Sequence, residues 1–170
     1  MSNEQQLARE YARFAHDDVG QRRKGTNAPY WTHPQGVADL LEGYGASDAI
    51  CITAELHDTA EDTEVTIDDL RNTFGDEVSE LVSEVTNSPD LDGLEKETYM
   101  NRKLIGLTND ALTVKLGDCV YNLLDRPREQ QAKRMYNNIR YLIKNREQPL
   151  QKIHKALINT FISAYKAKFQ

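Results

Sequence analysis

Apolar residues recur at three- and four-residue spacing along nearly the whole of this chain, and nowhere do they alternate for long enough to make a strand. That period is the helical one, so the sequence predicts an all-α fold. "EQQLAREYARFAHDD" places Leu7, Tyr11, Phe14 and Ala15 on one predicted core face. "GQRRKGTNAPYWTH" breaks the period with Gly, Asn and Pro and reads as a loop. Pro34 suits the first turn of "PQGVADLLEGYG", which ends at Gly43 or Gly45. Ser47 can cap "SDAICITAELHDTAED", read as one helix. Thr66 with Asp69 has the capping-box pattern ahead of "TIDDLRNTFG", and "DEVSELVSEVTN" then repeats Val78, Leu81, Val82 and Val85. A loop, "SPDLDG", precedes a short helix in "KETYMNRKLIGL" and a longer one opened by Thr108, "ALTVKLGDCVYNLLD". Pro127 marks a break before two final helices, roughly 128–146 and 149–168. The 170 residues suit a single helical-bundle domain, 1–170.

Composition removes several classes. No run approaches the length of a membrane span, and the start, "MSNEQQLARE", has no apolar signal core. Cys51 and Cys119 sit among apolar residues without CxxC spacing, so two small buried thiols in a reducing cytoplasm are expected. The net charge of −6 is uneven: residues 126–170 hold 11 Lys/Arg and 2 Asp/Glu, +9, which leaves −15 for the rest. The basic stretch keeps an amphipathic pattern and lacks basic–aromatic clusters. It reads as neutralising the acidic remainder rather than as a nucleic-acid surface.

The chemistry concentrates in "ELHDTAEDT", where His57, Asp58, Glu61 and Asp62 follow Glu55. On a continuous helix His57 lies over Glu61 and Asp58 over Asp62. Two ligands do not hold a catalytic metal tightly, so others are needed. The chain has four histidines, and His33 stands where a loop becomes a helix, in "HP". Asp118 is isolated in the mostly apolar "VKLGDCVYNLL", and a carboxylate in such a place needs a partner. Lys115 is one candidate partner and a metal another. His33, His57, Asp58 and Asp118 together make a His₂Asp₂ set suited to Mn²⁺ or Fe²⁺ and, less readily, Mg²⁺ or Zn²⁺. Glu61 and Asp62 exceed what one ion needs. They suit orienting a water, taking its proton or protonating a leaving oxygen.

"RRKGTNAPYWTHP", "AELHDTAEDT", "FGDEVSELVSEVT" and "VKLGDCVYNL" resemble, in order and approximate spacing, the hydrolase domain of RelA/SpoT-type enzymes. The likeness is to the small stand-alone alarmone hydrolases of the HD phosphohydrolase superfamily, over about Ala12 to Leu124. It implies an all-α HD fold and a Mn²⁺-dependent enzyme that removes the 3′-pyrophosphate of (p)ppGpp, leaving GDP or GTP and pyrophosphate. It implies metal ligation by His33, His57, Asp58 and Asp118, and catalysis by Glu61 and Asp62. Arg23, Lys24 and Tyr30 match the loop that holds the nucleotide, and Asn122 a polar contact near the ribose. Arg134, Tyr136 and Arg140 are further candidates for phosphate contact. The chain departs from the family at Asp18, where a His is usual with His16 two residues earlier, at Cys119, often basic, and at Glu55, usually apolar.

Three rival functions stand beside this one. The first is an HD nucleotidase or phosphatase for ppApp, NADPH or a 5′-deoxynucleotide. The second is a catalytically silent nucleotide-binding module, and the third is nucleic-acid binding through the basic stretch.

Overall fold

The computed structural model describes residues 1–24, 26–125 and 128–169, and its secondary structure is helical. The α-helices are α1 (Asn3–Asp18), α2 (Thr32–Gly43), α3 (Asp48–Leu56), the single turn α4 (Thr59–Asp62), α5 (Ile67–Val85), α6 (Lys96–Gly106), α7 (Asn109–Leu124), α8 (Glu129–Asn145) and α9 (Lys152–Phe169). A 3₁₀ turn covers Leu91–Gly93. Among the described residues the only bridge is an isolated antiparallel one, Arg22 with Pro29. The all-α expectation therefore holds. Pro127 lies outside the described residues.

Helix starts follow side-chain caps legible in the sequence. The hydroxyls of Ser2, Ser47, Thr66 and Thr108 accept the N–H groups of Gln5, Ile50, Asp69 and Ala111. At Thr66 the box is closed, because Asp69 Oδ2 accepts the Thr66 N–H at 2.9 Å. Within α5, Gly75 has φ +81° and ψ 177°, so the two helices expected on either side of it meet at a sharp kink.

The chain forms two compact units, Met1–Asn87 and Ser88–Gln170. In the first, α3 is buried from Ile50 through Leu56. The core gathers Ala8, Ala12, Ile52, Leu56, Leu70, Phe74, Val78 and Val82, with Tyr11 edge-on to Phe74 at 5.4 Å. In the second, α7 is buried from Ala111 through Gly117, and α9 packs along it with Leu157, Ile158 and Phe161 buried.

Two expectations are corrected. The buried face of α1 is Gln5, Ala8, Ala12 and His16, while Leu7 and Phe14 are exposed, Phe14 by 71%. Small residues let α1 lie close to α3, and that close approach outweighs the larger apolar area of Phe14. Helix α3 also does not run through the His-Asp pair. It stops at Leu56 because His57 Nδ1 donates to Ala54 O at 2.8 Å and the Thr59 hydroxyl to Leu56 O at 2.8 Å. These side chains satisfy carbonyls at the helix end. Asp58 then opens the separate turn α4.

Candidate active site

In the first unit, His33, His57 and Asp58 bring one ligand atom each to within 4.8 Å of the others. His33 is placed by the first turn of α2, where its N–H donates to Tyr30 O at 2.9 Å. His57 is placed by the end of α3. Both imidazoles are buried, and Asp58 is partly so. A carbonyl only accepts, so the bond to Ala54 O fixes the proton of His57 on Nδ1 and turns Nε2 inward. His57 Nε2 lies 3.2 Å from Asp58 Oδ1, and His33 Nε2 lies 3.7 Å from Asp58 Oδ2. An imidazole lone pair and a carboxylate oxygen repel at such a distance unless positive charge lies beside them. The donor set thus fits a divalent cation, and the backbone bond of His57 is the kind of support that orients a metal ligand. Tyr30 O–H donates to Asp58 Oδ2 at 2.7 Å, so its hydroxyl orients a ligand of this set.

Asp118 and Asn122 belong to the second unit. They pair on one face of α7, Asn122 Nδ2 donating to Asp118 Oδ1. The buried Lys115 precedes them by one turn.

The acidic pair is held by two amides that the sequence did not single out. Glu61 accepts from the Asn87 N–H at 3.0 Å and from Asn87 Nδ2 at 3.0 and 3.2 Å. Asp62 accepts from Gln21 Nε2 at 2.9 Å. Gln21 in turn meets His16 Nδ1 at 2.7 Å. His16 is fully buried, and burial pushes its pKa below the ordinary value, against an opposing pull from Gln21. Arg23 and Lys24 lie on a tight loop: Arg23 N–H donates to Ala28 O at 2.9 Å, and Asn27, at φ +58°, returns its N–H to Arg23 O. Lys24 is exposed and Arg23 partly so. On α8, Arg140 sits over the Tyr136 ring at 5.9 Å, and Tyr136 stacks on Tyr165 at 4.4 Å.

Glu55, just ahead of the His-Asp pair, is engaged by Arg9. It is 1% exposed and accepts from Arg9 Nε at 2.9 Å and Nη2 at 2.7 Å. Among other groups the sequence noted, Cys51 and Cys119 are free thiols, the first buried and the second partly exposed. The buried His154 accepts the Gln151 N–H at Nδ1 and meets Asn109 O at Nε2, a structural role. No helix among the described residues is long and apolar enough to cross a membrane.

The family model described as an HD domain matches residues 8–141. The chain belongs to the HD domain family, whose members bind divalent metals. Similar proteins include guanosine-3′,5′-bis(diphosphate) 3′-pyrophosphohydrolases of the MESH1 type. That of Xenopus tropicalis is 36% identical over 129 residues, 74% of this chain and 72% of the relative. That of Mus musculus is 40% identical over 65% of this chain and 64% of its own length, and that of Homo sapiens 41% over 62% and 60%. The chain thus spans between 60% and 72% of these relatives. A solved structure of a metazoan SpoT ortholog, described as hydrolysing ppGpp, matches with TM-score 0.74 and 26% identity over 96% of both chains. A Listeria monocytogenes structure at 23% identity and TM-score 0.63, covering 81% of this chain and 98% of its own, shares the fold.

Proposed function

We propose that this chain is a metal-dependent hydrolase that removes the 3′-pyrophosphate from ppGpp and pppGpp, giving GDP or GTP and pyrophosphate. The observation that carries the reading is the His33–His57–Asp58 donor set, its two imidazoles buried, in a chain 36–41% identical to enzymes named for this reaction. The family model runs through the boundary between the two units, so both are read as parts of one HD domain.

Asp118 is assigned as the fourth ligand, on donor chemistry and its place in the motif. Mn²⁺ is the ion we favour for two imidazoles and two carboxylates. When bound, such an ion acidifies a water and polarises the phosphoryl group. The reaction forms a bond from the water oxygen to the phosphorus next to the 3′ oxygen, and the bond from that phosphorus to the 3′ oxygen breaks. Glu61 and Asp62 orient the water, take its proton and return one to the leaving 3′ oxygen. Arg23 stacks on or binds the nucleotide, Lys24 meets phosphate, and Asn122 contacts the ribose. The free thiols Cys51 and Cys119 suit a reducing cytoplasm.

Nucleotide chromatography tests the assignment. With Mn²⁺, the protein is expected to convert ppGpp to GDP and pyrophosphate, and Asp58→Ala and Asp118→Ala to lose both turnover and Mn²⁺ affinity. Turnover of NADPH or a 5′-deoxynucleotide in place of ppGpp moves the substrate. Full activity in both variants overturns the site.

A further inference from the structure

The hydrolase reading gives no task to His16 or Gln21, yet the two form a directed chain of hydrogen bonds that ends on Asp62. The Gln21 backbone is fixed from both sides: its N–H donates to His16 O at 3.0 Å, and its carbonyl accepts the Tyr30 N–H at 3.2 Å. From that fixed point the amide bridges His16 Nδ1 at 2.7 Å and Asp62 Oδ2 at 2.9 Å. We propose that Gln21 is a positioning residue that holds Asp62 for hydrolysis, with its own amide orientation set by His16. The inference rests on the assignment of Asp62 to the reaction.

The direction of the chain follows from chemistry. An ionised carboxylate only accepts, so Gln21 must present its NH₂ to Asp62 and its carbonyl oxygen to His16. His16 must then donate from Nδ1. Its Nε2 is buried with no hydrogen-bond partner among the described residues. A proton there would be a buried unmade donor, and the bare Nδ1 would face the Gln21 oxygen, acceptor against acceptor. Only the Nδ1–H tautomer satisfies every contact. The His16 ring also lies 4.9 Å from that of Tyr30, whose hydroxyl binds Asp58. The loop that carries Arg23 and Lys24 is thereby tied at its base to the same residue that orients the acid.

The first test needs no turnover and no variant. Long-range ¹H–¹⁵N spectra of histidine-labelled protein are expected to show His16 as the neutral Nδ1–H tautomer at pH 7. An Nε2–H tautomer or an imidazolium overturns the chain, whatever the enzyme does. The second test is a double-mutant cycle. Gln21→Met is expected to lower kcat about 10- to 100-fold, the range carried by a hydrogen bond to a charged group, with KM and Mn²⁺ affinity unchanged. In the Asp62→Asn background the same change is expected to have no further effect. An equal loss in both backgrounds overturns the role through Asp62. An unmodified protein that turns over no nucleotide overturns the hydrolase assignment instead, and the tautomer is read independently of that result.

Discussion

Glu55→Gln isolates a buried charge next to the site. Glu55 is 1% exposed, and Arg9 bridges it to Asp39. Burial raises its carboxyl from the ordinary 4.5 to about 7, with Arg9 pulling the other way. Between those values the folded protein holds a proton that the unfolded chain has released. The stability linked to Glu55 is therefore fully present below pH 4.5 and lost as pH rises to about 7. At about 1.4 kcal/mol per unit, the loss is about 3 kcal/mol. His16 and His154 act in the opposite sense. Burial lowers both below the ordinary 6.5, so their stability is present above 6.5 and lost as pH falls below it through the lowered folded values. The unmodified protein superposes the two trends, and Glu55→Gln removes only the first. In urea unfolding from pH 4 to pH 8 at constant m-value, the variant is expected to gain about 3 kcal/mol on the unmodified protein as pH rises. Parallel stability curves would refute the reasoning, since Glu55 would then titrate alike folded and unfolded.

Gly75→Ala and Gly106→Ala separate backbone strain from packing, because an added Cβ meets no atom within 4 Å at either position. Gly75 at φ +81° is expected to lose about 1–3 kcal/mol of unfolding free energy, whereas Gly106, the last residue of α6, is expected to be neutral or to gain about 0.4–1 kcal/mol. Arg23→Ala is expected to raise KM for ppGpp about tenfold or more at nearly constant kcat, as loss of a charge-assisted contact to the nucleotide would; initial-rate kinetics check it.

Most of the fold was legible because its boundaries are written in local chemistry. Ser47, Thr66 and Thr108 cap the helices that the sequence assigned to them, and the apolar period of α5 fills the core with Val78, Leu81, Val82 and Val85. The misread face of α1 depended on non-local information. Ala8 and Ala12 carry little apolar area, and their burial follows from how closely α3 approaches. The break after Leu56 was missed for a related reason. Its cause is a pair of side-chain donors, His57 and Thr59, that compete for carbonyls which a continuous helix would have used.

The site divides along the same line. The grouping of His33, His57 and Asp58 could be anticipated because histidine is scarce here and the His-Asp pair is adjacent in sequence. The amides that hold the acidic pair could not, because Gln21 and Asn87 are residue types common on any surface. Their partners lie 41 and 26 positions away. Glu55 shows the limit of reading reactivity from residue type. It stands beside the same motif as Asp58 and is the more deeply buried of the two. What separates them is the group each one faces. Arg9, 46 positions away in sequence, supplies Glu55 with a permanent cation. Asp58 faces a phenol hydroxyl and two imidazole nitrogens, one of which has its proton fixed on the far side of the ring. For Glu55 the counter-charge is built into the fold, although burial still makes its ionisation costly. Asp58, whose oxygens meet the ligand atoms of His33 and His57, is the carboxylate of the two that the proposed function assigns to the metal.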